Sequence, residues 1–533
     1  MFTAALAALE SAFVRLAQRK KLAIAFAGLL PLIARALLLP VLPVPKPAIQ
    51  DEFSYLLAAD TFASGRLANP APLLPEHFET PQELIRPVYA SKYPPLAGLV
   101  MAAGEKLAGQ PWLGVWLSMG VLCAAICWAL QAWLPAVWAL AGALIAVLQI
   151  GIVSYWTESY WGGTCAAIGG ALLIGAVPRL LEQPRPGLAA AFAAGLVILA
   201  NSRPFEGLMF AIVCSVWLAA RWKVRSYRLI LPMALVLVPA GIWMGYYNYR
   251  LTGSVFELPY IAHDRQYALL EPVLWESHAR PAPVYSSAAL KDFWQADRDE
   301  KLKAHRQLFA AHAFDLAMWV RFLVGWPLAL CMLLVARPLW RDPIARRAIL
   351  IGLIAYAAGP ALDTRMWPHY AAPETVLAYI LAACALRALR NAWEGVDGAY
   401  LMWGALAVFA LPALLGLLSP SQRYLIGSDK YITDAKHAAI EDRLEKQPGQ
   451  HLVLVSYGPH HSMYEELVYN RADIGRSKVV WARSLGVEKD AELLRCYPNR
   501  DVWTVYDNGG VTLSRLQAPA PSYSSRLEPA ISK

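Results

Sequence analysis

The chain has 533 residues and a formal net charge of +9; 57% of the residues are hydrophobic and only 16% are charged. Soluble domains carry about 25% charged residues. This composition, with a mean hydropathy of +0.38, therefore excludes an ordinary soluble protein and predicts a polytopic membrane protein. The basic residues lie mostly in short connections between apolar runs, which favours a role in membrane topology over nucleic-acid binding.

The N-terminal segment, residues 1–21, predicts a cytoplasmic amphipathic helix that ends in Arg19, Lys20 and Lys21. It has no small-residue cleavage site, so the apolar run 22–44 is expected to be a retained first span and not a cleaved signal.

The next 400 residues or so are dominated by apolar runs long enough to cross a hydrocarbon core, which takes about 20 residues. About eleven such runs can be counted by the same measure, and they are 22–44, 111–133, 134–154, 161–181, 187–202, 204–220, 228–248, 316–336, 345–362, 371–388 and 399–418. We therefore predict an α-helical transmembrane domain over 22–419, with outer loops at 45–110 and 249–315. The short segment 95–108 predicts a partial or interfacial helix.

Basic residues set the expected orientation, because Lys and Arg accumulate in cytoplasmic loops. We expect the protein to lie in an inner (cell) membrane with its N-terminus in the cytoplasm. The cytoplasmic loops then hold Arg179, Arg185, Arg221, Lys223, Arg225, Arg228, Arg337, Arg341, Arg346, Arg347, Arg387 and Arg390. The short outer loops hold Arg203 and Arg365. Odd span parity then puts residues 420–533 on the extracytoplasmic side.

Unusual polar residues collect on the same outer side. Ionisable groups at a membrane boundary are costly unless they are paired or hydrated, so they are candidates for function. The carboxylates are Asp51, Glu52, Glu158, Glu206, Asp363 and Glu374, and the cations are Lys92, Arg203, Arg365 and His369. A carboxylate can deprotonate an attacking hydroxyl, while Lys and Arg can hold a phosphate leaving group.

Two motifs give this pattern a family resemblance. "DEFSYLLAADTFASGRL" follows the first apolar run, and "YASKYPPLAGL" comes a short distance later. Together they resemble GT-C glycosyltransferases, in particular the protein mannosyltransferase-like and aminoarabinose-transferase-like enzymes of family 39/83 type. The resemblance covers roughly residues 20–420 and differs in one respect, since Tyr93 separates Lys92 from Pro94.

The resemblance implies roles for these residues. Asp51 is expected to be the general base, with Glu52 beside it, and Lys92 is expected to contact the phosphate of a polyprenyl-phosphate sugar. The resemblance also implies that the sugar is transferred to a lipid, glycan or protein acceptor with inversion at its anomeric carbon. No cofactor is expected; a divalent metal is possible at Glu158 and Glu206 but is not favoured.

The other candidates rest on the outer-loop pattern alone. Arg203 and Arg365 are expected to bind the donor phosphate, and Tyr93, Glu158, Trp161, Glu206 and His369 to contact substrate. Each has a simpler interpretation. Asp51 caps a helix, Lys92 reaches along the interface, the aromatics around Glu158 form an interfacial belt, and Arg203 pairs with Glu206.

The polar region 420–516 predicts a small extracytoplasmic α/β domain, because helices near 429–446, 460–469 and 489–497 alternate with the strands "HLVLVSYG", "KVVWARS" and "DVWTVYD". His460 and His461 follow the first strand, where a solvated turn is the favoured interpretation. The Pro/Ser-rich tail 517–533 is expected to be disordered.

The resemblance thus implies a membrane glycosyltransferase whose partners are a polyprenyl-phosphate sugar, an acceptor and membrane lipids, and the charge pattern gives no reason to expect nucleic acid. The alternative is a polytopic transporter or a flippase for lipid-linked sugars. Transporters often show internal repeats and polar residues near the bilayer midplane. We find no repeat between the two halves of the sequence.

Overall fold

The computed structural model describes residues 2–516 except 222–226, 272, 274, 277, 365–366, 393–395, 419–435 and 463–464. The predicted tail 517–533 and part of the predicted helix near 429–446 therefore lie outside the described residues. Each apolar run that predicts a span falls at least partly in a helix. The helices up to residue 418 are α1 (Phe2–Gln18), α2 (Lys20–Leu37), α3 (Gln50–Ala63), α4 (Pro95–Ala108), α5 (Trp112–Leu130), α6 (Ala136–Ala146), α7 (Thr164–Glu182), α8 (Pro186–Ala200), α9 (Pro204–Arg221), α10 (Tyr227–Thr252), α11 (Pro259–Tyr267), α12 (Ala288–Arg306), α13 (Leu308–Leu323), α14 (Gly325–Leu334), α15 (Ala336–Arg341), α16 (Pro343–Ala358), α17 (Thr375–Ala392) and α18 (Val396–Leu418).

Six helices of the described chain are long and apolar enough to cross a membrane, namely α5, α7, α9, α10, α16 and α17. The pair α13 and α14 would add a seventh crossing, but their axes differ by 104° at the break. The predicted run 316–336 is therefore a bent pair and not one straight helix. The predicted spans 134–154 and 187–202 are shorter helices, and the count of eleven crossings stays a prediction.

The first predicted span is shorter than the apolar run that suggested it. Helix α2 ends at Leu37, and the chain then turns and runs without helix to residue 48. The prolines at 40, 43, 45 and 47 explain this end, because proline lacks the N–H that continues a helix and restricts the residue before it. The segment that follows α2 leads directly into α3.

Helix α3 begins where the side chain of Glu52 caps it. The Glu52 carboxylate accepts hydrogen bonds from the backbone N–H groups of Ala48 (2.7 Å) and Ile49 (3.1 Å). These N–H groups precede the helix and would otherwise lack partners. Helix α3 packs along α4, and the hairpin-like strands β1 (Asn69–Pro70), β2 (Glu83–Leu84) and β3 (Val88–Ser91) connect the two helices.

A close helix contact fixes the position of another outer loop. Gly170 of α7 lies against the turn at Pro373, and a Cβ atom at position 170 would be 1.8 Å from the Pro373 carbonyl oxygen. Only glycine permits this approach. Because α17 begins two residues after Pro373, the contact holds the 367–374 loop against the bundle.

The C-terminal region forms a four-stranded sheet in the order β5–β4–β6–β7, where β4 is Gln450–Tyr457, β5 Val479–Arg483, β6 Arg500–Asp507 and β7 Val511–Arg515. Strand β4 is parallel to both neighbours, as the sequence predicts, and the antiparallel β7 was not predicted. Helices α19 (Lys436–Glu445) and α20 (Val487–Cys496) correspond to two of the three predicted helices.

The prediction of a helix at 460–469 is wrong, because the described residues of this segment form a turn and extended chain. The side chain of Glu466 accepts hydrogen bonds from the backbone N–H groups of Leu467 (3.0 Å) and Val468 (2.9 Å), which replaces helical hydrogen bonding. Leu467 and Val468 are buried in this extended form. The extended segment passes along α3, where Tyr469 contacts Phe53.

This C-terminal sheet is docked on α3. The Phe53 ring stacks on Tyr469 at 4.4 Å between centroids and meets His437 edge-on at 4.8 Å. At the other end of α3, Asp60 accepts the backbone N–H of Ala472 at 2.7 Å and pairs with Arg471 at 3.1 Å. The helix that carries Asp51 is therefore held between the membrane bundle and the C-terminal sheet.

Candidate active site

Asp51 lies in the first turn of α3 and is partly exposed. One oxygen of its carboxylate accepts a hydrogen bond from the Tyr93 hydroxyl. The Tyr93 ring stacks on Tyr55 of α3, with centroids 4.4 Å apart. The two sequence motifs, around Asp51 and around Lys92, therefore meet through a tyrosine that the sequence suggested as a substrate contact.

Two cations act on the Asp51 carboxyl. Burial raises the pKa of this group above its usual range, while the Tyr93 hydrogen bond and the nearby charges of Lys92 and Arg203 oppose that rise. Lys92 lies at the entrance of α4 and Arg203 in the turn between α8 and α9. The structure thus brings a carboxylate, a tyrosine and two cations from three separate parts of the chain to one place.

Arg203 continues the site toward the 367–374 loop. Its guanidinium lies 3.6 Å from the Glu206 carboxylate and 4.6 Å from the centroid of the Tyr370 ring. The adjacent His369 is buried, and its Nδ1 is 3.1 Å from the Tyr155 hydroxyl. Burial, aided by Arg203, lowers the pKa of His369 well below its usual range, so this ring is neutral near pH 7.

Trp161 belongs to the same aromatic group, because its ring lies 4.6 Å from that of His369 and 6.3 Å from that of Trp367. Tyr155 lies 5.8 Å from Trp161 and connects it to the bundle. These rings form one aromatic cluster, and the roles of Trp161 and His369 in contacting substrate stay predictions.

Two other predicted carboxylates make contacts inside the protein. Besides the two N–H groups that precede α3, Glu52 accepts the backbone N–H of Tyr160 at 3.0 Å. Burial raises its pKa to about 7. Glu158 forms a buried double hydrogen bond with Arg35, at 2.7 and 3.0 Å. These contacts tie α2, α3 and the 154–163 loop together, and neither carboxylate shares Asp51's contact with Tyr93.

The sequence analysis does not single out Arg35, because this residue lies inside the apolar run 22–44. It is fully buried, and its guanidinium also donates to the carbonyls of Leu42 and Pro43 at 2.8 and 3.1 Å. A lone arginine within a predicted span is itself a signal, since a charge there needs a partner. Arg365 lies outside the described residues, so its predicted role stays a prediction.

Three further residues of the site were not singled out from sequence, namely Tyr55, Tyr370 and Asp264. The two tyrosines lie next to candidates that were chosen, and only their contacts distinguish them from other interfacial aromatics. Asp264 is in the long outer loop and pairs with Lys92. Among the described residues, no three His, Cys, Asp or Glu side chains converge in a way that could hold a metal ion.

A small apolar crevice, of about 10 Å³, lies between segments that carry the two cations. Its walls come from the start of α4, the α8–α9 turn, α10 and the start of α11. The lining includes Pro94, Pro95, Pro204, Tyr247 and Pro259. Lys92 lies two residues before Pro94 and Arg203 one residue before Pro204, so both cations belong to segments that line the crevice.

No family model matches the sequence, and no curated protein matches it. Solved structures do. The chain is similar to ArnT, an aminoarabinose transferase, from Cupriavidus metallidurans bound to undecaprenyl phosphate, with 13% identity and a TM-score of 0.49 over 94% of this chain and 93% of that one. An apo structure of the same ArnT matches at 15% identity with a TM-score of 0.47 and covers 94% of each chain.

The oligosaccharyltransferase of Archaeoglobus fulgidus, in a complex with Zn and sulfate, is also similar, at 11% identity with a TM-score of 0.46 over 91% of this chain and 68% of that one. ArnT is of the aminoarabinose-transferase type that the two sequence motifs resemble. At these identities and TM-scores the likeness concerns the path of the chain and assigns it no activity.

Proposed function

We propose that this protein is a membrane glycosyltransferase of GT-C type, which moves a sugar from a polyprenyl-phosphate donor to an acceptor hydroxyl. The observation that carries the proposal is the Asp51 carboxylate, held by Tyr93 and flanked by Lys92 and Arg203. A base beside two cations suits a reaction that removes a proton from one partner and leaves negative charge on the other.

The proposed step balances as follows. Asp51 takes the proton of the acceptor hydroxyl while the acceptor oxygen forms a bond to the anomeric carbon of the sugar. The bond between that carbon and the phosphate oxygen breaks, and the phosphate keeps the electron pair. Attack from the side opposite the phosphate inverts the anomeric carbon. Lys92 and Arg203 stabilise the charge that develops on the phosphate.

A lipid-linked donor would approach these cations along apolar surface. Pro94 and Pro204, which follow Lys92 and Arg203 closely in the chain, line a small apolar crevice. A lipid chain laid over this surface would bring its phosphate toward the two cations. The partly exposed rings of Trp161 and Tyr370 would then face the sugar, with the buried His369 ring packed against Trp161. We place this site on the extracytoplasmic side of an inner membrane, on the distribution of basic residues between loops.

Transfer by the purified full-length protein tests the proposal. A panel of labelled polyprenyl-phosphate sugars is incubated with lipid, glycan and protein acceptors, and product is measured. Asp51→Asn should lower the rate at least about 100-fold, as loss of a general base does, and should still bind polyprenyl phosphate. Asp442→Asn, at an exposed carboxylate paired with Lys46, is the matched control.

Wild-type turnover by Asp51→Asn would refute the assignment of the base. If the protein moves the lipid across a proteoliposome membrane without sugar transfer, the glycosyltransferase proposal is refuted and the alternative, a flippase for lipid-linked sugars, is favoured. No contact of the described residues specifically favours transport, since the charged groups of the site lie at helix ends.

A further inference from the structure

Lys92, the proposed phosphate ligand, already has an acidic partner. Its Nζ lies 3.6 Å from Oδ1 of Asp264, which is on α11 in the outer loop. The same ammonium lies 5.6 Å from the Tyr93 ring and 6.0 Å from the Trp294 ring. Any phosphate that reaches Lys92 therefore meets a carboxylate at the same point.

Asp264 carries a full negative charge there. Although burial opposes ionisation, Lys92 and the hydrogen bond from His263 hold the pKa of Asp264 well below its usual range. Nδ1 of His263 is 3.0 Å from Oδ1 of Asp264. Burial lowers the pKa of His263 to about 4, so this ring is neutral near pH 7 and does not cancel the carboxylate.

The other cation that acts on Asp264 has a partner of its own. Lys301 of α12 lies 2.8 Å from Asp297 and donates to the carbonyl of Leu270 at 2.9 Å. Its charge is thus largely balanced within α12. The charges that act at Lys92 are therefore its close partner Asp264, at 3.6 Å, and the Asp51 carboxylate, which Arg203 also influences.

Sugar transfer changes the charge of the ligand at this position. A polyprenyl-phosphate sugar is a phosphodiester with one negative charge. The spent carrier is a phosphate monoester, whose second pKa is near 6, and it carries close to two charges at pH 8. The additional charge arises because the phosphate oxygen keeps the electron pair of the broken bond while the acceptor's proton goes to Asp51.

We propose that Asp264 is a specificity-determining residue which weakens binding of the spent polyprenyl phosphate more than binding of the sugar-bearing donor, and so promotes product release. This inference rests on the proposed function. It assigns Asp264 a role through charge repulsion at Lys92, and it makes no claim that Asp264 takes part in the chemical step. The alternative is that the Asp264 carboxylate weakens the binding of the donor and of the spent carrier equally.

Equilibrium binding separates these effects. The purified full-length protein is titrated at pH 8 with polyprenyl phosphate, a monoester, and with polyprenyl methyl phosphate, a diester of nearly the same shape. Asp264→Asn should raise the affinity for the monoester over the diester by at least about tenfold. One extra unit charge about 7 Å away has at least this effect at the effective dielectric constant of about 20 that describes such sites.

Two variants serve as controls. Glu257→Gln removes a carboxylate just before α11 that pairs with Arg265 at 2.7 Å, and it should leave the affinity ratio unchanged. Asp264→Glu keeps the charge and should behave like the wild type. Asn can still accept the His263 hydrogen bond, and if Asp264→Asn does not fold, Asp264→Ser provides the same loss of charge.

Equal tightening of both ligands, no change, or weaker binding of both would overturn the inference and leave the proposed function standing. If the wild type binds neither lipid, the proposed function itself fails. An unchanged ratio in Asp264→Asn together with normal binding by the wild type isolates the failure to Asp264.

Discussion

The hydrogen bond from Tyr93 to Asp51 leads to a quantitative prediction for the pH dependence of activity. Asp51 acts as a base only when ionised, so activity should be present above its pKa and lost as the pH falls through it. The Tyr93 hydroxyl stabilises the ionised form. Tyr93→Phe removes this donor and keeps the ring that stacks on Tyr55, so it should raise the pKa further.

The size of the shift follows from the hydrogen bond. A bond to a charged group contributes about 1.5–3 kcal/mol, and one pKa unit corresponds to 1.36 kcal/mol. Because Asp51 is partly exposed and water can replace the hydroxyl, we expect the acidic limb of kcat/KM to move up by about one unit. The assay is sugar transfer measured across pH 4.5–9.

The matched control is Tyr160→Phe, which removes a buried hydroxyl that donates to the Pro45 carbonyl at 2.9 Å and should leave the limb in place. Glu52 has a pKa of about 7 and also titrates in this range. A second pH profile, measured with Tyr93→Phe in the Glu52→Gln background, shows whether the acidic limb belongs to Asp51 or to Glu52. If Tyr93→Phe leaves the limb unmoved or lowers it, Asp51 is not the titrating base or Tyr93 does not stabilise its ionised form.

Two further predictions concern stability, measured by thermal unfolding of the purified protein. Arg35→Leu should destabilise by about 3–5 kcal/mol because it breaks the buried ion pair with Glu158 from one side only. Replacing both residues by Leu should recover much of the loss, and a single variant as stable as the wild type would contradict this. Asp60→Ala should cost about 1–3 kcal/mol because it strands a backbone N–H, whereas Arg471→Ala should cost under about 1 kcal/mol, since this arginine is 64% exposed. Equal costs at the two positions would show that the exposed ion pair, and not the backbone contact, docks the C-terminal sheet.

Local sequence patterns predicted the parts of the site that depend on one short segment. Asp51 and Lys92 were found from two motifs, and Arg203 and His369 from loops expected on the same side. These residues come together only if four connections between helices meet at one place. The distribution of basic residues predicted that the connections lie on the same side of the membrane, but it did not predict that they touch. The contacts themselves, such as Tyr93 with Asp51, depend on side-chain directions that no spacing in the sequence reveals.

Partners far apart in the chain were harder to predict. Glu158 was chosen because a carboxylate between tryptophans is unusual, but its partner Arg35 lies 123 residues away inside an apolar run. Hydropathy averages over a window, so one arginine among leucines does not change the assignment of a span. The pairing of Asp264 with Lys92 is beyond sequence reasoning for a different reason, because it depends on how a long outer loop folds back onto the bundle.

The C-terminal region shows how local propensity is overridden. Residues 460–469 look helical in isolation, yet the Glu466 carboxylate takes the backbone N–H groups that a helix would use. The resulting extended segment presents Tyr469 to Phe53, two positions after Asp51. A helix in that place would not lay its side chains along α3 in the same way. The irregular segment is therefore what permits the sheet to dock.

The position of Asp51 consequently depends on more than the membrane bundle. Its helix is capped at one end by Glu52, which also accepts the Tyr160 N–H of the 154–163 loop, and anchored at the other by Asp60. Between these ends, Phe53 lies against the C-terminal sheet. Fixing both ends and one face of a 14-residue helix restricts its rotation as well as its translation. A base must lie within hydrogen-bond reach of the proton that it removes, so this restraint gives the C-terminal region a physical connection to the proposed chemistry although it supplies no hydrogen bond to Asp51 among the described residues.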